Sequence, residues 1–281
     1  MHKLLIISDS PARVAGLQRD SADSRRVDTL SLDRLPPLEP GQILLCDFDE
    51  RGHPSLHELE RVLPNCPPPM VVAGVTKEYF WSHPELLNQP VQAVLIQPYD
   101  QETLRLAIKD SIPWNLRPSP AGRDMIGALV EATTSVISGY NASTRLCGAW
   151  AMNRLSPHGQ IGGAMPLTGD TRAEAVLTMS ESTAKLLSAH LVGCPIDVLD
   201  RSDAQDGVGE IINQICGHGM TMLSRRNRHI QIALPRLFVG DDAPDELKQC
   251  ISFLTLLFRS GEEYFTFQLG FPITSRVLSP A

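Results

Sequence analysis

The chain has 281 residues, 42% of them hydrophobic and 20% charged, with a formal net charge of -7. At roughly 100 to 200 residues per domain this length predicts about two domains, each large enough to bury a core, which excludes a disulfide miniprotein and a disordered tail. The longest apolar runs, such as Leu4 to Ile7, are far too short for a membrane span, so no membrane insertion is expected. The start Met-His-Lys-Leu-Leu-Ile-Ile-Ser-Asp reaches a carboxylate after four apolar residues and does not read as a secretory signal. A cytoplasmic protein is the expectation. Residues 1–112 hold 11 basic and 16 acidic side chains and the remainder 14 and 16, so neither part reads as a nucleic-acid binder by charge balance. Six cysteines are scattered without a Cys-x-x-Cys pair, a pattern of reduced apolar thiols rather than disulfides or a zinc site.

From the N-terminus, short apolar runs alternate with helical stretches. Lys3–Ile7, Val27–Leu30, Ile43–Cys46, Met70–Val75 and Val91–Ile96 read as five strands, and Gln101–Ser111 as the last helix before a break. This alternation predicts an α/β doubly wound parallel sheet over residues 1–112. Residues 113–123 belong to a proline-rich stretch, Ile-Pro-Trp-Asn-Leu-Arg-Pro-Ser-Pro, and read as a linker. Residues 124–281 follow another grammar. Met125 to Ile137 is periodic like a helix, Gln160–Leu167 and Ala173–Met179 read as a hairpin about Thr-Gly-Asp-Thr, and helices are expected over Ser182–Leu191 and Asp203–Leu223. Strands near Ile230–Ala233, Phe253–Phe258 and Tyr264–Leu269 complete an α+β arrangement, helices packed on an antiparallel sheet. Residues 141–158 yield no assignment.

In an open parallel sheet ligands sit beyond the carboxyl ends of the strands. There the N-terminal part carries Ser8-Asp9, Asp47, Thr76 and Gln97-Pro98. This order resembles the response-regulator receiver domain, with its flavodoxin-like sheet. The resemblance implies Asp47 as phosphoacceptor, Asp9 as second acid of the magnesium pair and Thr76 as switch hydroxyl. Two positions depart: Ser8 stands at the first acid and Gln97 at the lysine. One carboxylate fewer weakens the magnesium site that Asp9 and Asp47 would form, and an amide cannot neutralise a phosphoryl group as an ammonium does. A degenerate receiver is expected. Asp and Thr are also common caps after strands, the plain structural reading of the same residues.

The helix expected from Ser202-Asp203-Ala204-Gln205, itself a match to a capping box, contains Asp206-Gly-Val-Gly-Glu210-Ile-Ile-Asn213-Gln-Ile-Cys-Gly217. Val208, Ile211, Ile212, Ile215 and Cys216 form a buried stripe. Asp206, Glu210, Asn213 and Gly217 recur at spacings of four, three and four, so they share the opposite face. Asp-x-x-x-Glu-x-x-Asn-x-x-x-Gly, with Met165–Asp170, Ala175–Met179 and Ser182–Leu187 upstream, resembles the CheC, CheX and FliY phosphatases of chemotaxis response regulators. A single motif copy favours the CheX type.

That resemblance implies a phosphatase acting on the aspartyl phosphate of a separate CheY-like receiver. Asn213 would orient the attacking water and Glu210 would pair with the target's lysine, with Asp206 and Gly217 on the partner-binding face. The target supplies Mg2+, and no cofactor of the chain's own is required. The alternative is a non-catalytic adaptor binding receiver or kinase partners, which the accessibility of Glu210 and Asn213 discriminates. Arg225-Arg226-Asn227-Arg228-His229 reads as a solvated turn rather than a phosphate-backbone contact. The aromatic, β-branched runs Phe253–Phe258 and Tyr264–Leu269 suggest an open sheet edge and, as CheX-type domains pair through their sheets, a homodimer.

Overall fold

The structure is a computed structural model that describes residues 4–7, 28–30, 42–48, 70–83, 86, 91–112, 119–140, 144–155, 159–240 and 242–272. The chain divides into two compact units, one of Met1–Asn115 with Cys147–Ala151 and one of Leu116–Leu146 with Met152–Ala281.

In the first unit β1 (Leu4–Ile7), β2 (Asp28–Leu30), β3 (Ile43–Asp47), β4 (Met70–Val75) and β5 (Val91–Ile96) pair in the order β2-β1-β3-β4-β5, all parallel. Leu44, Leu45, Cys46, Val72 and Ala73 are fully buried, which is why these runs read as continuous apolar stretches rather than alternating ones. Helix α1 (Lys77–Ser82) follows β4 and α2 (Gln101–Asp110) follows β5. Asp100 caps α2, its carboxylate accepting from the Thr103 N–H at 2.8 Å and hydroxyl at 2.7 Å, which satisfies one orphan donor of the first turn. The free side of β5 takes an antiparallel strand from β6 (Arg145–Met152), with Ala93 opposite Trp150 and Leu95 opposite Gly148. A Cβ at Gly148 would lie 2.7 Å from the Val94 carbonyl, so the close approach of the two backbones requires glycine there.

The unassigned stretch thus contains a strand. Its Gly-Ala-Trp-Ala core is buried throughout, which removes the polar alternation that would mark it.

The second unit is built on an antiparallel sheet. β7 (Ile161–Gly169), β8 (Ala173–Met179), β9 (Ile230–Ile232), β10 (Arg236–Val239), β11 (Cys250–Ser260) and β12 (Glu263–Pro272) run in the order β10-β7-β8-β12-β11, and β9 pairs with β7 beside β10. Helices α3 (Pro120–Tyr140), α4 (Glu181–Val192) and α5 (Arg201–Arg225) complete it, with a short α6 (Asp245–Lys248). Helix α5 packs on β7 and is flanked by α3 and α4.

Three expectations are corrected. Helix α3 starts at Pro120, inside the expected linker, because proline is suited to the first helical position and the Ser119 hydroxyl accepts from the Gly122 N–H at 3.2 Å. Helix α5 is capped two residues earlier than expected. Asp200 accepts from the Asp203 N–H at 3.0 Å while the Asp203 carboxylate accepts from the Asp200 N–H at 2.9 Å, a reciprocal capping box. Finally, β12 is hydrogen-bonded to β11 on one side and β8 on the other, so the Tyr264–Leu269 run offers no open edge for strand pairing with a second chain. Its composition reflects burial, with Phe265, Phe267 and Leu269 fully inside.

Among the described residues no helix is long and apolar enough to cross a membrane. Cys46, Cys147, Cys194, Cys216 and Cys250 are free thiols, and burial pushes those of Cys216 and Cys250 up to about 12.

Candidate functional site

Helix α5 is the best-determined element of the site by its own chemistry. Its inner stripe, Val208, Ile211, Ile212, Ile215 and Cys216, is wholly buried; burying a Val or Ile side chain contributes roughly 1.5–3 kcal/mol, enough to fix the rotation of the helix. Glycines set its distance from its neighbours. A Cβ at Gly207 would lie 1.8 Å from Ser188 Oγ on α4, one at Gly219 2.7 Å from Leu129 Cδ2 on α3, and one at Gly209 3.0 Å from Leu237 Cδ2 on β10. The end of the helix is tied down by Arg228, whose guanidinium donates to Asp124 Oδ2 at 2.7 Å. Arg225, the last residue of the helix, is exposed, as are Arg226 and Asn227 in the turn beyond it, Asn227 in the left-handed region at φ 55°.

With the inner face committed, the outer face is determined. Asp206, Glu210 and Asn213 are all exposed, and Gly217 is half-buried with nothing within 4 Å of where its Cβ would be. The carboxylate and carboxamide are therefore both open to an approaching macromolecule, and the glycine one turn on leaves the helix surface flat. Gly217 differs from the other three glycines of the helix in that no contact within the protein calls for it.

Sequence reasoning missed two groups here. Gln214 Nε2 donates to Glu210 Oε1 at 2.8 Å, and the Tyr140 hydroxyl, from the last turn of α3, donates to Gln214 Oε1. Burial, and after it the Glu210 charge, raise the Tyr140 phenol above its usual range, against a smaller lowering by Gln214. The phenol is thus protonated and a donor at neutral pH. The Glu210–Gln214 spacing of four was readable as a helical pair; a link across 74 positions of sequence, from Tyr140 to Gln214, leaves no local signal.

In the first unit Asp47, Thr76 and Gln97 all come to the carboxyl ends of β3, β4 and β5. Asp47 is buried, and its Oδ1 accepts from Gln97 Nε2 at 2.6 Å and from the Tyr99 hydroxyl at 3.1 Å. Gln97 Nε2 also faces the carbonyls of Phe48 at 3.0 Å and Gly74 at 3.3 Å. Tyr99, which sequence reasoning did not single out, fills the space beside Gly74, where a Cβ would be 2.7 Å from its ring. Thr76 caps α1, its hydroxyl accepting from the Tyr79 N–H at 3.1 Å. One Asp47 oxygen is engaged by two neutral donors, and Asp9, the other acid of the expected pair, lies outside the described residues, as does Ser8. Among the described residues no group of three acids, histidines or cysteines could hold a metal ion.

Comparison with known proteins bears on the second unit. Solved structures similar to this chain include a chemotaxis protein CheX from Desulfovibrio desulfuricans (21% identity, 52% of this chain and 97% of that one, TM-score 0.44) and a CheX from Vibrio vulnificus (17%, 52% and 98%, TM-score 0.45). A CheX–CheY–BeF3–Mg complex from Borrelia burgdorferi is similar as well (17%, 52% and 96%, TM-score 0.42). No curated protein matches. The family match is local and includes all of α5 with its four outer motif positions: residues 161–258 match the chemotaxis phosphatase CheX family.

Proposed function

We propose that the second unit is a CheX-like phosphatase that hydrolyses the aspartyl phosphate of a separate, CheY-like response-regulator receiver in two-component signalling. The observation that carries this reading is the joint exposure of Glu210 and Asn213 on one open face of α5, within the segment that matches the CheX family.

The chemistry asks little of the phosphatase. In aspartyl-phosphate hydrolysis a water oxygen attacks phosphorus in line, the bond from phosphorus to the aspartyl oxygen breaks, and inorganic phosphate leaves with the water's protons while the carboxylate is restored. The target's own magnesium and lysine neutralise the phosphoryl oxygens, so what is left to supply is the position of the water. The Asn213 amide accepts from that water with its oxygen and donates with its nitrogen, without a change of protonation. The Glu210 carboxylate pairs with the target's lysine and registers α5 over the phosphoryl group. Asp206 and Gly217 extend the same docking face by one turn on either side, and no metal or cofactor of this chain enters the step.

The first unit serves as a degenerate receiver-like docking or regulatory module. The strand order 2-1-3-4-5, shared with flavodoxin-like sheets, and the meeting of Asp47 with Gln97 support this part.

The test is release of phosphate from a panel of phosphorylated receivers by the full chain. N213A should abolish activity while leaving target binding nearly intact, and E210A should weaken binding as well. Wild-type hydrolysis by both variants would refute the assignment.

A further inference from the structure

Glu210 is exposed and carries no burial to hold its side chain. A free glutamate on a helix samples several rotamers, and ordering it on docking costs entropy. Here that freedom is already reduced. Gln214, one turn on, donates Nε2 to Glu210 Oε1 at 2.8 Å. An amide can be turned end for end, and in the reverse orientation its oxygen would oppose the carboxylate. The Tyr140 hydroxyl removes the ambiguity, because a phenol proton donated to Gln214 Oε1 leaves the amide nitrogen for Glu210. The phenol arrives from a different helix, at the C-terminal end of α3, whose packing against α5 through Gly219 and Leu129 fixes its approach. The chain of bonds thus runs from the scaffold to one oxygen of the carboxylate and leaves the other for an incoming cation.

We infer that Tyr140 and Gln214 are positioning residues that hold the Glu210 carboxylate in the pose that receives the target's lysine. The inference rests on the phosphatase reading of Glu210 and Asn213. Neither residue touches the phosphoryl group. They act through Glu210, so their loss shows in docking and not in the chemical step.

The experiment uses the full chain with a CheY-like receiver kept phosphorylated by acetyl phosphate. Y140F removes one oxygen and keeps the ring; Q214A removes the amide. Each should raise KM about three- to tenfold, the net worth of an ordinary hydrogen bond, with kcat within about twofold and the thermal midpoint unchanged. In an E210A background neither should change KM further, since the group they position is gone. Two results overturn the inference alone: wild-type KM for Y140F and Q214A while E210A and N213A are impaired, or an equal rise in KM in the E210A background, which marks a merely structural effect. If E210A and N213A hydrolyse at the wild-type rate, the phosphatase reading falls and the inference with it.

Discussion

Gly217 separates what stabilises α5 from what lets a partner approach it. A glycine within a 25-residue helix costs about 0.8–1.0 kcal/mol relative to alanine, chiefly in backbone entropy. Nothing lies within 4 Å of the position its Cβ would take, so G217A gains that propensity with no steric penalty. At about 2–4 °C per kcal/mol for a domain of this size, the midpoint of thermal unfolding should rise by roughly that amount. G217Q carries nearly the same helical gain, because glutamine loses little rotamer freedom in a helix. It also projects a long side chain from the face that holds Glu210 and Asn213. The full-length variants would be followed by thermal circular dichroism and by phosphate release from a phosphorylated receiver. The expected outcome is a more stable protein in both, with kcat/KM nearly preserved in G217A and reduced about tenfold or more in G217Q. Wild-type activity in G217Q would refute close approach at this position. A lowered midpoint in G217A would refute the reading that no internal contact requires the glycine.

G207A should do the opposite, destabilising the fold by about 1–3 kcal/mol through overpacking as read by chemical denaturation. S188A should not restore it, because the clash involves Ser188 Cβ at 2.6 Å as well as the hydroxyl. In the first unit, Q97K places an ammonium where Gln97 Nε2 already faces three acceptors, Asp47 Oδ1 and the Phe48 and Gly74 carbonyls. It should raise labelling of Asp47 by acetyl phosphate and magnesium severalfold, read by mass spectrometry, from a low wild-type level; rapid stoichiometric labelling of the wild type would refute the degenerate-receiver reading. Glu174 is buried and paired with Arg236 at 3.0 Å, yet burial outweighs the pairing and raises its carboxyl. A raised folded value means that its contribution is full below the ordinary carboxylate range and is lost as pH rises through the raised value. E174Q should therefore flatten the stability profile over that window, measured as thermal midpoint against pH.

How much of this was legible follows from where each signal lives. The outer face of α5 was readable because both its apolar stripe and its polar positions obey one 3.6-residue period, and the stripe alone decides which way Glu210 and Asn213 turn. The β7–β8 hairpin was readable because Gly169 sits at φ +127°, where a Cβ would meet the His229 carbonyl at 2.1 Å. By contrast, β10 is four residues long and half-exposed, too short to show a period. The start of α3 was hidden by a proline that breaks helices everywhere except at their first turn. At the site, Tyr140 and Tyr99 were missed for one reason: each acts through an approach between elements distant in sequence, which no local pattern encodes.

The glycines of α5 have a further implication for how such a protein diversifies. Three of them, Gly207, Gly209 and Gly219, face neighbouring side chains on three sides of the helix, and there an added side chain meets the fold, most severely at Gly207. The fourth side meets solvent, and substitutions at 206, 210, 213 and 217 are nearly free of stability cost. Recognition and folding are thereby written on different letters of one helix. A descendant copy can acquire a new partner, or lose its chemistry and keep its binding, by exchanging outer letters alone, while the scaffold stays unaltered.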